Sequence, residues 1–153
     1  MKILFICTGN VSRSFLAEML FKNEIRQHKI ENVTVSSAGT AAFAGEPADP
    51  EMVKYLSKNR IPVEEHEAKP VTEAVLDNAD IILVMEKWHS EILERRYPKI
   101  KDKIGHLGQY ISPDQVYDDI IDPYNKSSYH YRLAQSQITL AVRALSKSLL
   151  SEK

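Results

Sequence analysis

The sequence predicts an α/β layer sandwich built on a parallel sheet. Its 153 residues match the usual length of one domain, residues 1–153, and 43% hydrophobic content is enough for a core. Strand-like and helix-like segments alternate without repeats, low-complexity stretches or an internal linker. Such alternation is typical of a parallel sheet covered by helices, and ligands of these folds lie at the carboxyl ends of the strands.

The first half of the chain contains two predicted strands and two predicted helices. Ile3 to Ile6 form a continuous apolar run, typical of a strand buried on both faces. A helix is expected from about Ser14 to the region of Lys29. Its apolar stripe consists of Ala17, Leu20, Phe21 and Ile25. Val33 to Ser36 are read as a short strand, and Pro50 to Lys58 as the next helix.

The strongest strand signal is Ile81 to Met85, in which four of five residues are Ile, Leu or Val. We therefore expect this strand to be central in the sheet. A short helix from about Thr72 precedes it, and a helix from Trp88 to Tyr97 follows, ended by Pro98.

The last third of the chain is less regular until its end. A weak strand or turn is expected near Ile104 to Leu107, followed by a long loop from Gly108 to about Ser127. A terminal helix is predicted from the helical spacing of Ile138, Val142, Leu145 and Leu149. The long loop can meet the end of the first strand at the carboxyl edge of the sheet.

Composition excludes several classes of function. The 20 Lys and Arg residues against 21 Asp and Glu leave a net charge of −1, so no global field favours nucleic acid or an acidic membrane. One cysteine cannot form an internal disulfide, and the five histidines lack metal-ligand spacing. Neither a signal peptide nor a membrane span is recognisable, so we expect a cytoplasmic protein.

The segment between the first strand and the first helix carries the candidate chemistry. It consists of Cys7, Thr8, Gly9, Asn10, Val11, Ser12, Arg13 and Ser14. Backbone N–H groups of a tight turn and of a helix's first turn point outward together, and with the helix dipole they can bind a dianion such as phosphate. The same field holds a thiol at the edge of the loop as a thiolate, which places Cys7 to attack phosphorus.

Arg13 is the candidate for binding the charge of the transferred phosphoryl group. Five residues separate it from Cys7, and its planar guanidinium can donate to two phosphoryl oxygens. Ser14 could donate a hydrogen bond to the sulfur. Gly9 is expected to allow the bend, and Asn10 to hold the loop through local hydrogen bonds. The nucleotide-binding patterns G-x-x-x-x-G-K and G-x-G-x-x-G do not occur.

With these residues the sequence resembles the low-molecular-weight protein tyrosine phosphatases. Their signature is a hydrophobic strand, C-x-G-N-x-C-R-S and a helix with A-E, matched here from Phe5 to Ala17-Glu18. Further family motifs recur in the family's order: Ser37-Ala38-Gly39-Thr40, Gly45-Glu46-Pro47-Ala48-Asp49, His66-x-Ala68-Lys69, Asp80 to Met85 and Asp122-Pro123-Tyr124. The resemblance covers nearly the whole chain.

This resemblance implies a three-layer sandwich: a four-stranded parallel sheet with helices on both faces. It implies phosphomonoester hydrolysis through a cysteinyl-phosphate intermediate, with no metal and no cofactor. Two positions depart from the family. Ser12 stands where members commonly carry a second cysteine that pairs reversibly with the nucleophile, so Cys7 should be oxidised irreversibly more readily. Phe15 replaces a usual proline but removes no group that the chemistry needs.

Hydrolysis of a phosphotyrosine needs a carboxylic acid that protonates the leaving phenol and later activates water. The long loop offers Asp118, Asp119 and Asp122. Proline after Asp122 biases that residue to an extended conformation, and the family's D-P-[YF] motif selects it. Asp118 and Asp119 remain alternatives at this stage.

An aromatic substrate needs a deep slot with flat apolar walls. By resemblance, Phe43 and Tyr124 form these walls, although either could instead cover the edge of the core. Ser37 is expected by the same match to hydrogen-bond Asn10 and steady the loop. His66 is interpreted as a structural hydrogen-bonding residue, and Trp88 and His89 as packing residues.

Several other functions compete with tyrosine phosphatase activity. A protein arginine phosphatase is the main alternative; such enzymes usually have threonine after the loop asparagine, where this chain has Val11. A reductase of arsenate using an external thiol is a weaker one, because Cys7 is the only thiol. A catalytically inactive phosphoprotein-binding module would need to lack Cys7, Arg13 or Asp122, and all three are present.

The expected partners are tyrosine-phosphorylated proteins. The resemblance suggests a bacterial tyrosine kinase among them. No nucleic acid and no membrane is expected to bind, and the protein is expected to act as a monomer.

Overall fold

The architecture is a four-stranded parallel sheet with helices on both faces. The structure is a computed structural model that describes residues 1–112 and 119–151. The strands are β1 (Lys2–Cys7), β2 (Thr34–Gly39), β3 (Ile81–Val84) and β4 (Ile104–His106), in the order β2-β1-β3-β4. All three pairings are parallel, so the predicted fold class is confirmed.

Five α-helices connect and cover the strands of the described chain. They are α1 (Arg13–Gln27), α2 (Pro50–Lys58), α3 (Glu73–Asn78), α4 (Lys87–Arg96) and α5 (Ser128–Ser151). Two 3₁₀ segments, Pro98–Lys103 and Leu107–Tyr110, flank β4 and were not anticipated from the sequence. The second occupies the start of the predicted loop 108–127, and residues 113–118 of that loop lie outside the described residues.

Helix starts follow local sequence signals. Asp49 caps α2 by accepting a hydrogen bond from Glu51 N, and Pro50 occupies the first turn, where its missing N–H is not needed. Thr72 caps α3 through a hydrogen bond from Val75 N. These caps explain why helix positions could be predicted to within a few residues.

The sheet has a separate hydrophobic core on each face. Successive side chains of β1 point to opposite faces, so Phe5 packs with α1 and α5 whereas Ile6 packs with Leu76 of α3 and Leu93 of α4. The predicted apolar face of α5 is buried at all four positions: Ile138, Val142, Leu145 and Leu149. Because β1 and β3 are the two interior strands, the prediction that Ile81 begins a central strand is also confirmed.

β2 is longer than its apolar pattern suggests, and the backbone of the loop after β1 lies very close to its end. The sequence indicates a strand ending at Ser36, but pairing continues to Gly39, which lies beside Cys7. A Cβ atom at Gly39 would be 2.4 Å from Thr8 O and 3.0 Å from Asn10 N. The loop after β1 therefore packs against bare backbone at the end of β2.

Among the described residues, no helix has the combination of length and apolar character that crossing a membrane requires.

Substitution Gly39→Ala is expected to lower the free energy of unfolding by about 1–3 kcal/mol, the usual cost of forcing extra atoms into packed structure. The atoms that a Cβ would meet at 2.4 and 3.0 Å include backbone atoms of the loop, which cannot rotate away. Urea unfolding of the variant measures the effect.

Gly9→Ala is the matched control, because the nearest atom to a Cβ at Gly9 is Val11 Cγ2, at 3.9 Å. Equal unfolding free energies for the two alanine variants would contradict the steric argument.

Candidate active site

The loop between β1 and α1 surrounds the sulfur of Cys7 with hydrogen-bond donors. Asn10 N donates to Cys7 Sγ at 3.3 Å, and Ser14 Oγ lies 3.0 Å from the same sulfur. Because Asn10 Nδ2 donates to Ser14 Oγ at 2.8 Å, the Ser14 hydroxyl hydrogen is available for the sulfur. Two donors are therefore directed at the sulfur.

Asn10 is the residue that shapes the loop. Its φ of 57° places it in the left-handed region, whereas Gly9 is not among the positive-φ residues. The chain bends at Gly9, as expected, but the left-handed conformation in this loop is taken by Asn10, a residue type that tolerates this region better than most.

The Asn10 side chain and carbonyl join the loop to three other segments. Its Nδ2 donates to Ser37 Oγ at 2.9 Å, the contact expected from the sequence, and its Oδ1 accepts from Lys69 N at 2.9 Å. His66 Nε2 lies 2.6 Å from Asn10 O, and the ring of Phe15 packs on His66 with a centroid distance of 4.8 Å. The aromatic residue that replaces proline thus supports the loop indirectly.

Arg13 is buried and firmly held at one end of its guanidinium. Only 1% of the residue is exposed. Its Nη1 donates to Glu86 Oε2 at 2.6 Å and to Ile120 O at 2.7 Å, while Nη2 donates to Thr8 Oγ1 at 3.3 Å. Within residues 1–112 and 119–151, Nε and the second N–H of Nη2 have no hydrogen-bond partner, so these two donors remain for an oxyanion.

Asp122 and Asp119 occupy different places on the same segment. Asp122 Oδ2 lies 3.8 Å from Arg13 Nη2, and the side chain is 44% exposed. Asp119 Oδ1 instead accepts from Lys87 N at 2.8 Å, at the start of α4. Of the two described aspartates, Asp122 is the one that approaches Arg13; Asp118 lies outside the described residues.

The predicted wall residues are both exposed aromatic side chains. Phe43 is 74% exposed and Tyr124 is 50% exposed. Tyr124 lies two residues after Asp122. Its backbone N–H donates to Asp122 Oδ1 at 3.1 Å, which fixes the start of the turn. Among residues 1–112 and 119–151, neither ring belongs to the two hydrophobic cores, so neither is explained by packing in the interior.

Two residues near the start of α4 were not predicted to take part in the site. Glu86 pairs with Arg13, and His89, which was expected only to pack, contacts Thr8 Oγ1 through Nε2 at 3.0 Å. Burial, followed by the charges of Arg13 and His106, lowers the pKa of His89 to about 3, so its ring is neutral near neutral pH. The rule that ligands lie at the carboxyl ends of strands could have marked this region.

In the described part of the chain, no three His, Cys, Asp or Glu side chains are grouped to hold a metal ion. The loop after Cys7 carries hydrogen-bond donors to the sulfur, its Thr8 hydroxyl contacts the Arg13 guanidinium, and the Asp122 carboxylate lies 3.8 Å from that guanidinium. This set is suited to binding a tetrahedral oxyanion and transferring a proton.

Comparison with known proteins identifies the family. A model described as low molecular weight phosphotyrosine protein phosphatase matches residues 2–153. The chain therefore belongs to this family. The predicted enzyme class, a protein tyrosine phosphatase acting on phosphoric monoesters, is confirmed by this membership.

Relatives within the family carry two different names. The protein-arginine-phosphatase of Bacillus subtilis (strain 168) is 33% identical over 153 residues, covering 100% of this chain and 99% of the relative. The low molecular weight protein-tyrosine-phosphatase Wzb of Salmonella typhi is 33% identical over 152 residues, covering 99% and 96%. A solved structure of the YwlE arginine phosphatase, a cysteine-to-serine mutant with a phosphorylated active-site serine, superposes with a TM-score of 0.91 at 31% identity, covering 100% of this chain and 98% of that chain.

Peroxide is expected to inactivate the protein irreversibly, because Cys7 is the only cysteine in the sequence and no second thiol can trap its sulfenate. One peroxide converts the thiolate to sulfenate and water, and a second converts the sulfenate to sulfinate and water. Dithiothreitol added afterwards should recover little activity, and mass spectrometry should find sulfinic acid at Cys7.

Ser12→Cys is the matched variant, since it gives the loop the second thiol that the family resemblance leads one to expect there. Its activity should return with dithiothreitol after the same treatment. Full recovery of the unsubstituted protein would contradict the expectation.

Proposed function

We propose that the protein hydrolyses phosphotyrosine in proteins in two chemical steps. Cys7 is the nucleophile, Arg13 and the amides of residues 8–14 bind the phosphoryl oxygens, and Asp122 is the general acid and base. The observation that carries the proposal is the buried Arg13 guanidinium. Its Nη1 is held by Glu86 and Ile120, while Nη2 faces the Asp122 carboxylate at 3.8 Å.

In the first step the Cys7 thiolate attacks phosphorus, the S–P bond forms, and the bond from phosphorus to the phenolic oxygen breaks. Asp122 gives its proton to that oxygen, which leaves as phenol. Arg13 Nε and Nη2 bind the equatorial oxygens, whose charge is largest in the transition state.

In the second step a water molecule attacks the cysteinyl phosphate. The contacts of Ser14 Oγ and Asn10 N to Cys7 Sγ favour departure of the sulfur as thiolate in this step. The Asp122 carboxylate takes a proton from this water, the O–P bond forms, and the S–P bond breaks to release inorganic phosphate and the thiolate. The phosphorylated active-site serine of the YwlE mutant supports this role for the residue at the end of the first strand.

Preference for phosphotyrosine is supported by the residues around the opening. Phe43 and Tyr124 expose flat apolar rings that can pack on a phenyl group. Val11 has no hydroxyl, so it offers no hydrogen bond to a guanidinium group of a phosphoarginine. Tyr124 is also linked to Asp122 through its backbone, which places an aromatic ring next to the acid.

A protein arginine phosphatase remains the second candidate function. The relative from Bacillus subtilis carries that name at 33% identity over the whole chain, the same identity as Wzb of Salmonella typhi. Sequence identity therefore does not distinguish phosphotyrosine from phosphoarginine as the substrate. The choice between them depends on Val11, Phe43 and Tyr124. An external-thiol arsenate reductase has no comparable support.

The physiological partners in this proposal are tyrosine-phosphorylated proteins, which the name of the Wzb relative, a protein-tyrosine-phosphatase, supports. A bacterial tyrosine kinase among them is proposed from the family resemblance alone. A cytoplasmic location and a monomeric state belong to the same proposal.

Substitution Asp122→Ala should slow hydrolysis of an aryl phosphate with a poor leaving group by roughly 10²–10⁴-fold, the usual contribution of general acid catalysis. Steady-state kinetics with phenyl phosphate measures this loss. Cys7→Ser should abolish turnover in the same assay.

Asp119→Asn is the matched control for the acid, because Asp119 is hydrogen-bonded to Lys87 N and not directed to Arg13. Its loss should be much smaller than that of Asp122→Ala. An Asp122→Ala variant as active as the unsubstituted enzyme would remove Asp122 from the mechanism.

Phosphotyrosine peptides should have a higher kcat/KM than phosphoarginine and phosphoserine peptides of the same sequence, because only the first presents a flat aromatic ring to Phe43 and Tyr124. Phosphate release from the three peptides under one condition measures the preference. Val11→Thr should shift the ratio toward phosphoarginine. A higher kcat/KM for phosphoarginine in the unsubstituted enzyme would support the second candidate instead.

A further inference from the structure

His89 is buried at the start of α4, and both of its ring nitrogens are hydrogen-bonded. Glu86 N donates to Nδ1 at 3.0 Å, so Nδ1 carries no hydrogen in this arrangement. In a neutral ring the hydrogen must then be on Nε2, which lies 3.0 Å from Thr8 Oγ1. His89 therefore donates to the Thr8 hydroxyl.

Thr8 Oγ1 accepts hydrogen bonds from two sides. One donor is His89 Nε2 and the other is Arg13 Nη2, at 3.3 Å. A hydroxyl oxygen has two lone pairs, so these two donors occupy both. Because the side chain of threonine can rotate about χ1, the bond from His89 selects the rotamer in which oxygen, and not the methyl group, faces Arg13.

This contact matters because the other end of the guanidinium is already held. Nη1 is bound by Glu86 and Ile120 O, and a planar guanidinium held at one nitrogen can still pivot about that point. The hydrogen bond from Nη2 to Thr8 Oγ1 prevents this rotation of the guanidinium. It fixes the plane in which Nε and the remaining N–H of Nη2 can meet the oxygens of a phosphoryl group.

We propose that His89 is a positioning residue, which acts through the Thr8 hydroxyl to hold the Arg13 guanidinium in the plane that binds the transferred phosphoryl group. The inference rests on the proposed function. The ring of His89 does not need to titrate for this role. Burial, Arg13 and His106 keep the pKa of His89 at about 3, so the neutral ring remains a hydrogen-bond donor at neutral pH.

Two substitutions separate this role from the contribution of His89 to the start of α4. In His89→Asn, the amide oxygen can still accept from Glu86 N, but the shorter side chain does not reach Thr8. Thr8→Val removes the hydroxyl at nearly constant shape and leaves the helix start untouched, so it tests the contact even if the histidine variant folds poorly. His28→Asn, at an exposed histidine paired with Glu24, is the matched control.

The experiment measures kcat/KM for p-nitrophenyl phosphate and the dissociation constant of orthovanadate for each variant and for the double variant. Nitrophenolate leaves readily without protonation, so the assay reports on Arg13 more than on Asp122. Vanadate adopts a five-coordinate geometry close to that of phosphoryl transfer, and its affinity tests the binding plane without turnover.

We expect each single variant to lower kcat/KM by about 3–30-fold and to weaken vanadate binding by a similar factor, as befits one lost hydrogen bond to a charged group. The double variant should lose no more than the larger single loss, because both substitutions break one chain of contacts. His28→Asn should leave both quantities unchanged.

Additive losses in the double variant, or unchanged vanadate affinity in Thr8→Val, would overturn the positioning role while leaving the phosphatase proposal intact. Absence of p-nitrophenyl phosphate hydrolysis by the unsubstituted protein, with vanadate still bound, would instead overturn the proposed function.

Discussion

The buried charge of Arg13 is the constraint on which the rest of the site depends. A guanidinium removed from water needs charged or polar partners, because an unpaired buried charge is strongly destabilising. Its partners come from two distant parts of the chain: the Glu86 carboxylate follows the third strand, and the Ile120 carbonyl belongs to the segment that leads to Asp122. Arg13, the first residue of α1, thus joins the central sheet to the segment of the candidate acid. Ile120 N, which donates to Met85 O at 2.9 Å, strengthens the same connection.

A second network holds the opposite side of the loop. Asn10 has a left-handed backbone conformation. Its Nδ2 donates to the hydroxyls of Ser14 and Ser37, and its Oδ1 accepts from Lys69 N. Ser37 in turn donates to the carboxylate of Glu18 on α1, which accounts for a largely buried acidic residue. The polar groups around Cys7 are therefore held before any ligand binds. This preorganisation is what electrostatic stabilisation of a transition state requires, since donors that are already aligned need no rearrangement during the reaction.

The polar groups around the loop also explain why similar folds can serve two substrates. In the proposed function, backbone amides, Arg13 and Cys7 contact only the phosphoryl group and not the group that carries it. In the proposed function, selection between a phenyl ring and a guanidinium depends on the side chains of Val11, Phe43 and Tyr124. Phe43 and Tyr124 are exposed and Val11 is partly buried, and none of the three belongs to the two cores, so these positions can change with little effect on the rest of the fold. Relatives of equal identity with different names are consistent with that separation.

The sequence by itself determined the alternation of strands and helices and the order Cys7, Asn10, Arg13 and Ser14, because these depend on local periodicity and on the spacing of one continuous loop. Asp122 was selected among the aspartates of the long loop by the resemblance of Asp122-Pro123-Tyr124 to a family motif, and not by local pattern alone. Only the tertiary structure decided that Asn10 and not Gly9 takes the left-handed conformation, that Asp119 is bound to the start of α4, and that Glu86 and His89 reach Arg13 and Thr8. The last two contacts join residues 73 and 81 positions apart. No local pattern encodes such pairs, because they arise when parallel pairing of β1 with β3 brings the carboxyl ends of two strands side by side.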